Sequence, residues 1–238
     1  MSRRRFFVDP PRAGLSELRG EEARHLTRVL RVEPSQKFEV SDNRSVYLAE
    51  IAEASGERVI FRILEPIDSP SAPVQITLCA ALVKFDRFEW TVEKATELGV
   101  DRILPVEAAR TEKGLFDASR KRSERWQRIA RESAQQSRRV HLPEILPAVR
   151  LPAALAIQAA YRYFLDEATA PPLRSVLPAG RNNTDTVALL IGPEGGWTDT
   201  ERSQASAAGW TAASLGPTIL RAETAAVAAL SVIVSTWI

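Results

Sequence analysis

The first part of the chain is written in short alternating segments. Lys37-Phe38-Glu39-Val40, Val46-Tyr47-Leu48-Ala49-Glu50-Ile51 and Arg58-Val59-Ile60-Phe61-Arg62-Ile63-Leu64 carry apolar side chains at nearly every second position, with turn residues Ser41-Asp42-Asn43 and Ser55-Gly56-Glu57 between them. Period-two alternation predicts a small antiparallel sheet or barrel. A helix is expected ahead of it, from Gly20 to Val32. Pro66, Pro70 and Pro73 then fall within nine residues, a stretch suited neither to a helix nor to a central strand, so Glu65 to Pro73 is the expected linker.

Beyond the linker, strands and helices alternate. Val74 to Ala81 is a continuous apolar run of the kind buried on both faces of a parallel sheet, and Arg87 to Leu98 is a helix closed by Gly99. Arg102 to Val106 predicts a strand, Glu124 to Ser137 a basic helix, Ala153 to Ala160 a helix, and Arg162 to Leu165 a strand. Thr186-Val187-Ala188-Leu189-Leu190-Ile191 is the cleanest buried strand and runs straight into a glycine-rich loop. The expected class is α/β with a mainly parallel sheet, in which ligands bind outside the carboxyl ends of the strands.

Composition narrows the function classes. Apolar residues make up 45% of the 238 positions, enough for a core in each of two modest domains. No apolar run reaches a membrane span, and the N-terminal apolar stretch is too short for a signal peptide. A cytoplasmic protein is therefore expected. Cys79 is the single cysteine, which rules out a disulfide within the chain and a thiolate metal cluster. It is read as a buried strand residue.

Net charge is only +2, but its distribution is uneven. Arg3, Arg4, Arg5, Arg12, Arg19, Arg24, Arg28 and Arg31 gather near the start, and Arg120, Lys121, Arg122, Arg125, Arg128, Arg131, Arg138 and Arg139 in one central segment. Arginine forks bind phosphates bidentately and stack on bases, so two such groups suggest a polyanionic partner. Each group alone is explained equally well as a solvated helix face.

Two motifs carry the candidate chemistry. Gly192-Pro193-Glu194-Gly195-Gly196-Trp197 follows the buried strand, and its glycines let the backbone approach a ligand closely. It has neither the lysine of a phosphate-binding P-loop nor the glycine spacing of a dinucleotide site. Ser214-Leu215-Gly216-Pro217-Thr218-Ile219-Leu220-Arg221-Ala222-Glu223-Thr224-Ala225 leads from a short strand into the closing helix. A helix cap accounts for Glu223 and Thr224, but for neither Arg221 nor the glycine.

Leu190 to Gly196 together with Leu215 to Ala225 resembles the paired signature of SPOUT methyltransferases, specifically the RsmE family. The likeness extends over nearly the whole chain: His25 with Val29-Leu30-Arg31, Lys84, Glu97-Leu98-Gly99-Val100, Arg110-Thr111, Arg125-Trp126, Glu132 through Gln136 to Arg139, and Pro143. Departures are Phe85, where the family usually has glycine, and Gln135-Gln136-Ser137-Arg138-Arg139 in place of Glu-Gln-Ser-Gly-Arg.

The resemblance implies a PUA-like RNA-binding domain over residues 1–70 and a SPOUT methyltransferase domain over 74–238 with a C-terminal trefoil knot. It implies S-adenosyl-L-methionine as cofactor, N3 of a uridine in 16S rRNA as acceptor within the 30S subunit, a homodimer, and neither a metal nor a membrane. By matching, Leu165, Leu190, Ile191, Gly192, Pro193, Glu194, Gly195, Gly196, Leu215, Gly216, Ile219 and Leu220 are the cofactor residues. Arg24, Arg28, Arg31, Arg110, Arg125 and Arg139 are assigned to RNA.

N3 of uridine carries a proton, so a base must take it or cations must stabilise the charge left behind. Arg221 and Arg139 are the expected cations and Glu223 or Glu194 the expected base. His25 and His141 are weaker candidates. A SPOUT enzyme for a ribose 2′-hydroxyl or for tRNA, and a non-catalytic RNA-binding assembly factor, remain open alternatives.

Overall fold

The structure, a computed structural model, describes residues 5–69, 72–167 and 170–238. Arg3 and Arg4 of the first arginine group, and Pro70 and Ser71 of the linker, lie outside the described residues. The chain forms two compact units. One comprises Met1–Pro70 with Ala134–Leu142, the other Ser71–Ser133 with Pro143–Ile238.

The first unit is a five-stranded sheet of β1 (Arg5–Phe7), β2 (Leu15–Arg19), β3 (Lys37–Ser41), β4 (Val46–Ser55) and β5 (Arg58–Ile67), ordered β1-β3-β4-β5-β2. Its short helix α1 (Glu21–Arg24) runs into a π-helical turn over His25–Val29 where one regular helix was expected. Val40, Ile51, Val59 and Phe61, the inward positions of the alternating segments, form its core together with Phe6, Leu18 and Leu26. Two short strands were not foreseen, and β1 pairs with β3 in parallel, so the sheet is mixed rather than wholly antiparallel. β5 also runs into the proline-rich stretch. Pro66 pairs with Tyr47 of β4, but β2 reaches only Arg62, so the proline sits where β5 is a sheet edge and its missing N–H breaks no ladder.

Residues 138–142 pack on this sheet. Glu39 is buried and accepts from Arg5 at 3.0 Å and also from Arg138. Ser41 Oγ donates to the Val140 carbonyl at 2.6 Å, and the Leu142 amide to Asn43 Oδ1 at 2.7 Å. Arg138 has φ +56, the left-handed region that favours glycine. Arg138 thus holds a backbone conformation that suits glycine, and its side chain pairs there with Glu39.

The second unit is a three-layer α/β fold. Its strands are β6 (Gln75–Ala81), β7 (Arg102–Glu107), β8 (Glu144–Ile145), β9 (Val149–Arg150), β10 (Tyr161–Leu165), β11 (Thr186–Ile191) and β12 (Thr211–Ala213). They are ordered β12-β10-β11-β6-β7-β8, with β9 also on β7, and every pairing is parallel. The helices are α2 (Phe85–Glu97), α3 (Leu115–Ser119), α4 (Ser123–Gln136, which ends in the first unit), α5 (Leu151–Leu155), α6 (Leu173–Val176), α7 (Asp199–Ala207) and α8 (Ala222–Trp237). The segment 153–160 does not form the expected helix, because α5 starts at Leu151 and stops at Leu155.

Burial on both faces explains the continuous apolar strands. Ile76, Leu78, Val187, Leu189 and Ile191 face one core with Phe88 and Val92 of α2 and Ala226, Leu230 and Ile233 of α8. Cys79, Ala188 and Leu190 face the other, with Leu151, Leu155, Trp197, Ala205 and Trp210. Each fully buried Leu or Ile contributes roughly 2 kcal/mol of transfer free energy. Cys79 is fully buried, and desolvation pushes its thiol up to about 12.

Candidate active site

β12, β10 and β11 are neighbours in the sheet and parallel, so their carboxyl ends open on the same side. A pocket open to solvent, with a cavity volume of about 80 Å3, sits there. It is reached by Leu165 at the end of β10, by Ile191, Gly192, Pro193, Gly196 and Trp197 following β11, and by Leu215, Gly216, Thr218, Ile219 and Leu220 following β12. The two motifs, about twenty residues apart in sequence, thus converge because their strands lie on either side of β10.

Close approach of backbone requires the glycines here. A Cβ on Gly192 would lie 3.0 Å from Cε2 of Trp197, whose indole is buried and donates to the Leu165 carbonyl at 2.8 Å. Gly196 has φ +68, and a Cβ on it would meet the Glu167 carboxylate at 2.5 Å. The Gly196 amide donates to the Pro193 carbonyl at 2.9 Å, closing the turn.

Polar contacts hold the loop from outside. Glu201 is buried and accepts from the Thr198 amide at 2.8 Å and the Ala109 amide at 2.7 Å, completing the capping box of α7 and fixing residues 108–111 beside the loop. Arg110, the next residue, donates to the Gly195 carbonyl. Asp166 takes a two-pronged contact from Arg202 at 2.8 and 3.1 Å, which pushes the guanidinium pKa above its ordinary value. The charged lining residues, Asp166 and Glu167, are both acidic.

Nine of the twelve expected cofactor residues line the pocket: Leu165, Ile191, Gly192, Pro193, Gly196, Leu215, Gly216, Ile219 and Leu220. Leu190 faces the opposite core, and Glu194 and Gly195 form the outer side of the turn. Arg221 is exposed at the start of α8, and Glu223 is in its first turn, mostly buried; neither lines the pocket. Arg139 belongs to the segment that packs with the first unit. Arg24, paired with Glu57, and Arg28 and Arg31 are exposed on that unit. Arg125 is held by Glu89 at 2.6 Å, which raises its pKa.

Asp166, Glu167, Trp197, Thr218, Ala222 and Ala225 line the pocket without having been singled out as cofactor residues. The Trp197 contact had a sequence signal, an aromatic directly after the glycine pair. Asp166 and Glu167 simply continue the strand that ends at Leu165. Among the described residues, no group of His, Cys, Asp or Glu is arranged to hold a metal ion.

The parallel-sheet unit with its pocket and the small β unit coincide with two family models that place the chain among RNA methyltransferases carrying a PUA domain. The family model described as RNA methyltransferase domain matches residues 70–234, and that described as RNA methyltransferase PUA domain matches 18–64. The chain belongs to the ribosomal RNA small subunit methyltransferase E family. It is 29% identical over 247 residues to the Bacillus subtilis member, covering 96% of this chain and 95% of that one. The Mycobacterium tuberculosis member is 30% identical, with 98% and 92% covered. The crystal structure of the Neisseria gonorrhoeae member bound to S-adenosylmethionine superposes with a TM-score of 0.87 at 31% identity, covering 99% of this chain and 98% of that one. A Legionella pneumophila structure with bound S-adenosylmethionine gives 0.88 at 30% identity, with the same coverage.

Proposed function

We propose that this protein transfers a methyl group from S-adenosylmethionine to N3 of a uridine in 16S ribosomal RNA, acting as a cytoplasmic homodimer on the 30S subunit. In this reading the loops after β11 and β12 belong to a C-terminal trefoil knot, residues 1–70 bind RNA and 74–238 carry out catalysis. The observation that carries the proposal is the convergence of the two motif loops on one pocket at the carboxyl edge of the sheet.

The residues present fit that cofactor. Gly192 and Gly196 let the loop pack against Trp197 and Glu167 where a Cβ would clash, which shapes the pocket rim; the walls from Leu165, Ile191, Leu215 and Leu220 suit an adenine, and an acidic lining suits a ligand with net positive charge. When bound, the cofactor supplies an electrophilic methyl on a sulfonium, and displacement leaves a neutral thioether. The protein's own task is alignment of N3 with that methyl and removal of the N3 proton. Arg221 and Arg139 are assigned to the charge that develops on N3, O2 and O4 of the uracil. Glu194 or Glu223 accepts the proton.

The test is direct. 30S subunits from a strain deleted for this gene are incubated with the protein and cofactor, and the rRNA is digested for mass spectrometry. One 3-methyluridine per 16S rRNA is expected; a methyl on ribose, or on tRNA alone, refutes the acceptor assignment. Cofactor titration by calorimetry separates an enzyme from a non-catalytic assembly factor.

A further inference from the structure

Glu194 and Glu223, one from each motif, meet at a cation that neither motif contains. Arg87, in the first turn of α2, forms an ion pair with Glu194, and its Nε lies 4.0 Å from Oε1 of Glu223. The Glu223 side chain is 13% exposed, and its Oε2 is buried without a hydrogen-bond partner. Arg87 is more than 100 residues from either carboxylate in sequence. The contact exists because α2 and α8 cover the same face of the sheet, directly beside the end of β11.

We propose that Arg87 is a positioning residue for the cofactor loop: it holds Glu194, and with it the Pro193–Gly196 turn, against the start of α8. This rests on the reading of residues 192–196 as the cofactor loop. A planar guanidinium has two edges and can serve two carboxylates at once, which a lysine does less well. Three charges share the spot with a net of −1. Without the arginine, two carboxylates would face each other on partly buried ground, and Glu194 would turn to solvent. Arg110 grips the same turn from the other side, through the Gly195 carbonyl, so the loop is held between two arginines carried on separate segments. The unpartnered Oε2 of Glu223 keeps an acceptor open next to this clamp.

A charge swap tests the proposal. Arg87→Glu and Glu194→Arg are each expected to weaken S-adenosylmethionine binding, read by calorimetry, by about tenfold or more, the scale of a lost charge-assisted contact. The double variant is expected to recover to within about threefold of the wild type, and Arg87→Lys, which keeps the charge but not the fork, to fall between the wild type and Arg87→Glu. Amide exchange without cofactor should quicken at residues 194–197 in both single variants and slow again in the double. Circular dichroism of each variant shows whether it is folded. Simple addition of the two losses in the double variant, or unchanged affinity and exchange in Arg87→Glu, overturns the proposal. A wild-type protein that bound no cofactor would refute the function proposed above, while the exchange pattern would still decide whether Arg87 orders the loop.

Discussion

Gly192→Ala adds one methyl group at a place where the consequences can be worked out. Its Cβ would stand 3.0, 3.1 and 3.3 Å from Cε2, Nε1 and Cζ2 of Trp197. Carbon atoms settle at about 3.5–4.0 Å, so the indole must withdraw by roughly 0.5 Å. It has little freedom to do so, being 3% exposed, packed in a core with Phe164, Leu190 and Trp210, and hydrogen-bonded to the Leu165 carbonyl at 2.8 Å. Overpacking of this kind costs about 1–3 kcal/mol, and weakening the indole bond adds up to about 1 kcal/mol. For a chain of this size each kcal/mol moves Tm by roughly 2–4 °C, so a drop of about 2–16 °C is expected by calorimetric melting.

Leu165 and Trp197 are also pocket walls, so the same displacement should weaken S-adenosylmethionine binding about tenfold or more. Gly216→Ala provides the contrast. There φ is +132 and nothing lies within 4 Å of the added Cβ, so only backbone strain of about 1–3 kcal/mol is expected, with no neighbour pushed. Titration calorimetry on both variants completes the assay. If Gly192→Ala melts within about 1 °C of the wild type and binds the cofactor equally well, the tryptophan contact is not why this position is glycine.

Arg221→Ala should cut the single-turnover methylation rate by ~10²-fold or more, with a smaller loss of RNA affinity, as expected for a positioned charge stabiliser; an unchanged saturated rate with weaker RNA binding makes it a binding residue instead. Arg28→Ala and Arg31→Ala should each lower the log-log salt slope of RNA binding by roughly one unit if each contacts a phosphate. Arg24→Ala should change it less, because Arg24 is already paired with Glu57, and equal effects at all three positions would contradict that ordering. The Cys79 thiol, buried and pushed up to about 12, should resist a thiol reagent at pH 8 in the folded protein and react fully after denaturation. Reaction faster than unfolding would show an opening of β6 that the fold does not contain.

Hydrophobic period made the long strands and helices legible, because β6, β11, α2 and α4 bury most of their apolar positions and their patterns are uninterrupted. Short elements escaped it. β1 holds three residues, too few to show a period, and the pairing of β1 with β3 and of β2 with β5 is a long-range matter. Pro66 argued against a strand, yet a strand edge tolerates a proline, and edge position is invisible until the sheet order is known. α7 left a clearer trace: Thr198 and Glu201 have the spacing of a capping box, and both halves of that box form.

The candidate site was legible in the same uneven way. Glycines and the strand before them mark the loops, since the demand for close backbone approach is local, and nine of the residues matched from the family line one pocket. The contacts made by charged side chains are not local. Glu194 and Glu223 look interchangeable as carboxylates in a row of letters, and each could equally be read as a base or a cap. In the fold they differ: Glu194 is exposed on a turn and paired with Arg87, whereas Glu223 is largely enclosed and keeps Oε2 without a partner. A buried carboxylate oxygen with no donor is costly unless something is brought to it, so of the two acids Glu223 has more to gain from a proton-bearing group presented at the start of α8. Single-turnover rates for Glu223→Gln and Glu194→Gln put that ordering to the test. The larger loss is expected in Glu223→Gln, and a larger loss in Glu194→Gln would return the proton-accepting role to the loop.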